Sequence, residues 1–176
     1  MRAVRRSPDA VETTVTLRDQ LKAGLVAGIA AGILIDVFLF GMQLAAGTPA
    51  AKLAENFVFI AAVLLGPGAY SNPVAVPLGI VLHFCVAIGW ALGYVYLARS
   101  QPQLVSRPWI SGAAFGLVVY VFMEIILITA GLYHRVAAGL LFTQMVAHVA
   151  FYGIPVAVIA SRMLRSVVAH PSTSSG

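Results

Sequence analysis

The chain has 176 residues, room for one domain, but 60% of them are hydrophobic, only 10% are charged and the mean hydropathy is +0.93, which excludes an ordinary soluble domain. The formal charge of +5 does not make a nucleic-acid surface, because apart from Arg5-Arg6 the basic residues stand singly between apolar runs; the partner this composition suits is a lipid bilayer. One cysteine, Cys85, excludes an internal disulfide and any multi-cysteine metal cluster, and within its apolar run it reads as a small buried packing residue.

Residues 1–22 are polar and charged and read as a cytoplasmic arm. The apolar stretch that follows is too long for the core of a cleaved signal, so it reads as a retained anchor and first span, about 23–46. It carries Gly24, Gly28 and Gly32 at four-residue spacing, then Asp36 and Gln43. Residues 50–66 are apolar over too short a run to cross. They lie between Pro49 and the Gly66-Pro67-Gly68 breaker and are expected to form an interfacial or re-entrant helix on the outer side.

The second span, about 74–98, has Pro77 in its first turn, then His83, Gly89 and Gly93, with Tyr94 and Tyr96 as interface anchors near its inner end. A connection holding Arg99 and Arg107 leads to the third span, about 109–132, which contains Trp109 as an anchor, Gly112, Gly116 and Glu124 and ends before Tyr133. His134 and Arg135 belong to an outer loop. The fourth span, about 140–160, carries Gln144, His148 and an internal Pro155 that predicts a kink or local opening. Residues 163–176 form a polar cytoplasmic tail that includes His170.

The distribution of positive charge tests this count. With four spans and the N-terminus inside, Arg2, Arg5, Arg6, Arg18, Lys22, Arg99, Arg107, Arg162 and Arg165 are cytoplasmic, leaving Lys52 and Arg135 outside, which is nine against two. A fifth span through 50–66 moves Arg99, Arg107, Arg162 and Arg165 outward and Arg135 inward, giving six against five. Four spans joined by short connections predict an all-α, up-down four-helix membrane bundle. Its close packing is assigned to the small-residue faces at Gly24, Gly28 and Gly32, at Gly89 and Gly93, and at Gly112 and Gly116, with contact between two copies as the alternative use of those faces.

Each span holds one ionisable residue at membrane depth: Asp36, His83, Glu124 and His148. They stand 14 residues beyond Lys22, 16 from Arg99, 15 from Trp109 and 14 from Arg162, so at helical rise all fall about 21–24 Å from the inner anchors, in one layer. Two carboxylates and two imidazoles could hold a divalent metal, His83 and His148 could ligate a haem, and the set could relay protons in a small-solute carrier, with Gln43 and Gln144 lining a path from outside. The same residues could equally join helices by hydrogen bonds alone, as structural packing or as the attachment of an accessory subunit in a membrane complex. The chain contains none of the metalloprotease, serine-hydrolase or phosphate-loop motifs, so nothing in it points to an enzyme.

The run Leu82-His83-Phe84 followed by Trp90 and Tyr94-Val95-Tyr96-Leu97-Ala98-Arg99, then Pro102, Arg107-Pro108, Gly112, Phe115-Gly116, Val119-Tyr120, Met123, Ala147-His148 and Gly153-Ile154-Pro155, resembles a group of small bacterial membrane proteins. More distantly the chain resembles the YagU-like inner-membrane proteins, whose second and last spans also carry a histidine. The resemblance implies a bacterial inner-membrane location and no particular activity. Relatives carry asparagine where this chain has Glu124, so the two histidines form the firmer part of the polar layer.

Overall fold

The computed structural model describes residues 15–132 and 138–169. Arg2, Arg5, Arg6, Tyr133, His134, Arg135, His170 and the rest of 170–176 lie outside the described residues, whereas 163–169, expected as the start of the tail, continue the last helix. Those described form helices and no strand: α1 (Leu17–Ala45), α2 (Glu55–Leu65), α3 (Ala75–Ser100), α4 (Pro102–Ser106), α5 (Pro108–Thr129), α6 (Ala138–Val146) and α7 (Ile154–Ala169), with a π-helical segment, Ala147–Gly153, joining the last two. Five stretches are long and apolar enough to cross a membrane: Leu17–Ala45, Ala50–Ser71, Ala75–Ser100, Pro108–Thr129 and Gly139–Arg165. That is the make-up of an integral, multi-pass membrane protein.

The start of α1 is set by a capping box. Thr16 Oγ1 accepts from the Asp19 backbone N–H at 3.2 Å, and Asp19 Oδ2 accepts from the Thr16 N–H at 3.1 Å, which satisfies two N–H groups that the helix itself cannot. At the other end, Gly47 adopts φ 83°, and Gly66 at φ 62° stops α2; both are left-handed conformations that glycine adopts without strain.

Small residues decide how the helices pack. A methyl group placed on Gly28 would stand 2.7 Å from Ile88 Cα, and one on Gly24 would run into Leu92, so α1 and α3 touch backbone to backbone. On the other side α5 and the last helix meet in the same way. A methyl on Gly112 would stand 2.7 Å from Ile154 Cα, one on Gly116 would meet Val149 Cα at 2.7 Å, and Gly153 faces the Gly112 carbonyl. Between these pairs, α1 packs along α7 through a core of alanines and Val156.

Four expectations change here. Gly89 and Gly93 have open space where a side chain would be, so their face of α3 points away from the bundle. Cys85 is exposed as well; a membrane helix is apolar all round, and an apolar run therefore does not tell which face is buried. Consecutive spans were expected to lie side by side, yet α3 and α5 scarcely approach each other. Their connection includes a helix of its own, α4, which holds the connected ends apart, and the space between is filled by aromatic contacts: Trp90 with Phe122 at 5.2 Å between ring centroids and Tyr94 with Phe115 at 5.0 Å.

Tyr94 is likewise not an interface anchor. It is buried, with its hydroxyl donating to the Leu104 carbonyl at 2.9 Å and lying 2.9 Å from Ser111 Oγ, which fastens α4 between α3 and α5. Arg165 donates to the Val105 carbonyl and ties α7 to the same loop. Tyr96 and Trp109 are exposed, and Arg99 sits over the Tyr96 ring.

Candidate functional site

One cavity of about 370 Å³ opens among α1, α2, α3, α5, α6 and the π segment. Its wall is mainly apolar, with Leu39, Phe57, Ile60, Trp90, Val119 and Met123 among the lining side chains. Into it come all four of the ionisable residues singled out above, Asp36, His83, Glu124 and His148, together with Gln144 and Asn56. Gln43 does not line it. Its side-chain amide donates to Asn56 Oδ1 at 2.9 Å, a bond that fastens the beginning of α2 to the C-terminal part of α1.

Asp36 and His83 meet directly. His83 Nε2 lies 3.2 Å from Asp36 Oδ2 and 3.3 Å from the carbonyl oxygen of Gly32. Both neighbours can only accept, so Nε2 carries a proton and donates. The arrangement follows from the sequence of α1: the carbonyl of residue 32 and the side chain of residue 36 lie on one helix face, one turn apart. Gly32 lacks the side chain that would hold the Phe84 ring off, since a methyl there would stand 3.1 Å from Phe84 Cε1.

His148 is oriented by its own helix. Its Nδ1 lies 2.8 Å from the Gln144 carbonyl, which only accepts, so Nδ1 carries the proton and in the neutral ring Nε2 bears the lone pair. The π segment that begins at Ala147 is explained by Pro155, which has no N–H to give and whose ring crowds the carbonyl one turn earlier; the widened turn absorbs the mismatch. It also lets Tyr152 reach across to α3, where its hydroxyl donates to the Ala87 carbonyl at 2.5 Å. Hydropathy did not single out Tyr152, although a tyrosine three residues before an intrahelical proline is a signal that could have been used.

Glu124 stands apart. Its Oε2 is buried and has no hydrogen-bond partner. The single-layer expectation also needs adjustment. Gly116 packs on the His148 carbonyl, and Glu124 is eight residues (116 to 124) further along α5, so it lies about 12 Å further along the helix at helical rise. Counting from anchors assumed that Trp109 and Arg162 share a depth, whereas α7 continues past Arg162 to Ala169. The four residues surround one cavity at different heights.

That spread bears on metals and haem. Among the described residues no three His, Cys, Asp or Glu side chains come together in a way that could hold a metal ion, so the four-residue ligand set does not assemble. A haem between the two histidines would need His83 Nε2, the nitrogen already engaged by Asp36 and Gly32.

The chain matches no protein-family model, no curated protein and no solved structure.

Proposed function

We propose that this chain is a bacterial inner-membrane protein of the YagU-like kind, with four spans and both termini cytoplasmic, whose interhelical cavity binds a small, largely apolar molecule with a polar end. The observation that carries the binding reading is the unpartnered Glu124 carboxyl oxygen in the wall of an otherwise apolar cavity. A polar layer built only to join helices would satisfy its own members, because an orphaned buried acceptor costs about 1–3 kcal/mol. Asp36 and His83 do satisfy each other, and they serve as the helix-joining half of the set. Glu124, Gln144 and the lone-pair nitrogen of His148 are the half offered to a ligand.

Four spans rather than five are supported by the placement of α2. Its 11 residues of α-helix cover about 16 Å of the roughly 30 Å of hydrocarbon, and only with the 3-10 turns on either side does the stretch Ala50–Ser71 reach 22 residues. Asn56 already bonds Gln43 near the outer end of α1, and the Phe57 carbonyl packs against Gly79 in the second turn of α3, so the segment stays in the outer part of the bundle. With the charge distribution of nine basic residues inside against two outside, this favours a re-entrant or interfacial helix.

The experiment is a titration of the full chain in lipid nanodiscs, read by the emission of Trp90, which lines the cavity, in a Trp109→Phe background. Phenylbutanol is expected to give a saturable change that weakens in Val86→Phe and in Ile126→Phe, two partly exposed cavity residues whose enlargement narrows the space. A change no greater than partition into empty nanodiscs would overturn the reading.

A further inference from the structure

We infer that the ligand of this cavity is a lipophilic organic cation, an ammonium on an apolar body, paired with Glu124. The inference rests on the binding reading above and names the chemistry of the polar end.

Charge balance is the first ground. Asp36, His83, Glu124 and His148 are the ionisable side chains with acid or imidazole groups in the wall, and among the described residues no lysine or arginine lines it. Asp36 has His83 as its partner, whereas Glu124 has none. A carboxylate in a cavity wall that also holds Val119, Met123 and Leu127 calls for a counter-charge, and among the described residues no lysine or arginine lines that wall to supply one.

Hydrogen-bond direction is the second ground. His148 Nε2 bears a lone pair in the neutral ring, because Nδ1 is the nitrogen that donates to Gln144. Glu124 Oε2 is an open acceptor. A head group with N–H donors therefore fits Glu124 Oε2, whereas a carboxylate or phosphate head there would face a second negative charge.

Aromatic surface is the third. Phe57, Phe59, Trp90 and Tyr152 line the same cavity, and ring faces attract a desolvated cation as well as the apolar body attached to it.

The test compares three molecules that share one body and differ in the head: phenylbutylammonium, phenylbutanol and phenylbutyrate, each titrated against the full chain in nanodiscs with Trp90 emission as readout. The cation is expected to bind at least about tenfold more tightly than the alcohol, and the anion more weakly than both. In Glu124→Gln the preference for the cation over the alcohol is expected to fall to within about twofold, with an unfolding transition in mixed detergent micelles showing that the variant is folded. Equal binding of cation and alcohol in the unmodified chain, or an undiminished preference in Glu124→Gln, overturns the cation assignment and leaves the binding reading standing. Absence of saturable binding by all three overturns the reading itself.

Discussion

His83 and Asp36 form a hydrogen-bonded pair across the α1–α3 contact, with Nε2 and Oδ2 3.2 Å apart and the Gly32 carbonyl sharing the same donor at 3.3 Å. Removing His83 leaves the Asp36 carboxyl without its partner and removing Asp36 leaves His83 with the Gly32 carbonyl alone, so the single variants cost more than the interaction itself is worth. His83→Ala and Asp36→Ala are each expected to lower stability by about 1–3 kcal/mol, and the double variant by clearly less than the sum of the two. Unfolding in mixed detergent micelles, followed by Trp90 emission, measures all four corners of the cycle. Additive losses would show that the pair is not coupled.

The glycines make opposite predictions according to what each one faces. A side chain at Gly28 collides with Ile88 Cα at 2.7 Å and one at Gly116 with Val149 Cα at 2.7 Å, both backbone atoms that cannot step aside without moving a helix. Gly28→Val and Gly116→Val are expected to destabilise by about 1–3 kcal/mol or to prevent folding. Gly89→Ala and Gly93→Ala, where no atom lies within 4 Å of the added group, are expected to stay within about 0.5 kcal/mol of the parent. The same unfolding assay compares them, and a large loss at Gly89 or Gly93 would mean that their face is covered, for example by a second copy of the chain.

Much of this arrangement was legible in the sequence, for reasons that can be located. The long helices announced themselves by apolar length, and Asp36, His83, Glu124 and His148 stood out because ionisable groups are costly in hydrocarbon; all four reach one cavity. What stayed hidden depends on rotation and register, which an all-apolar helix does not encode. Nothing in the run around Cys85, Gly89 and Gly93 tells which side is outward. The height of Glu124 relative to His148 depends on Gly116 meeting the 148 carbonyl, a contact between residues 32 positions apart (116 to 148). Tyr94 looked like an anchor because tyrosines are common at membrane interfaces, but its hydroxyl finds Leu104 and Ser111 and the residue turns inward.

Topology yields a prediction that separates four spans from five. In a Cys85→Ser background, single cysteines at Gln103 and at Lys52 report which side each loop faces. With four spans and a cytoplasmic N-terminus, a membrane-impermeant maleimide added outside labels Lys52→Cys in intact cells and labels Gln103→Cys only after permeabilisation. Five spans put Gln103 outside. Labelling of Gln103→Cys in intact cells would therefore remove the re-entrant assignment of α2 and the charge argument with it.

The π segment gives the last prediction, because it links a backbone irregularity to the proposed site. Pro155 prevents the Phe151 carbonyl from receiving a normal helical N–H, and the seven residues from Ala147 to Gly153 wind more widely as a result. His148 and Tyr152 both lie in that stretch, one lining the cavity with Nδ1 on Gln144 and the other bonded to the Ala87 carbonyl. Pro155→Ala restores the missing N–H and allows the segment to tighten to α-helix. Losing one residue per turn of bulge rotates what precedes it by about 100°, which carries His148 out of the cavity wall and strains the Tyr152 bond. The expected outcome is a variant that remains folded, with stability within about 1 kcal/mol of the parent, yet binds phenylbutylammonium at least about tenfold more weakly. The separation of the two readouts is the point of the experiment: a loss of binding that merely tracks a loss of stability would assign Pro155 to folding, and unchanged binding would mean that the widened turn does not shape the site.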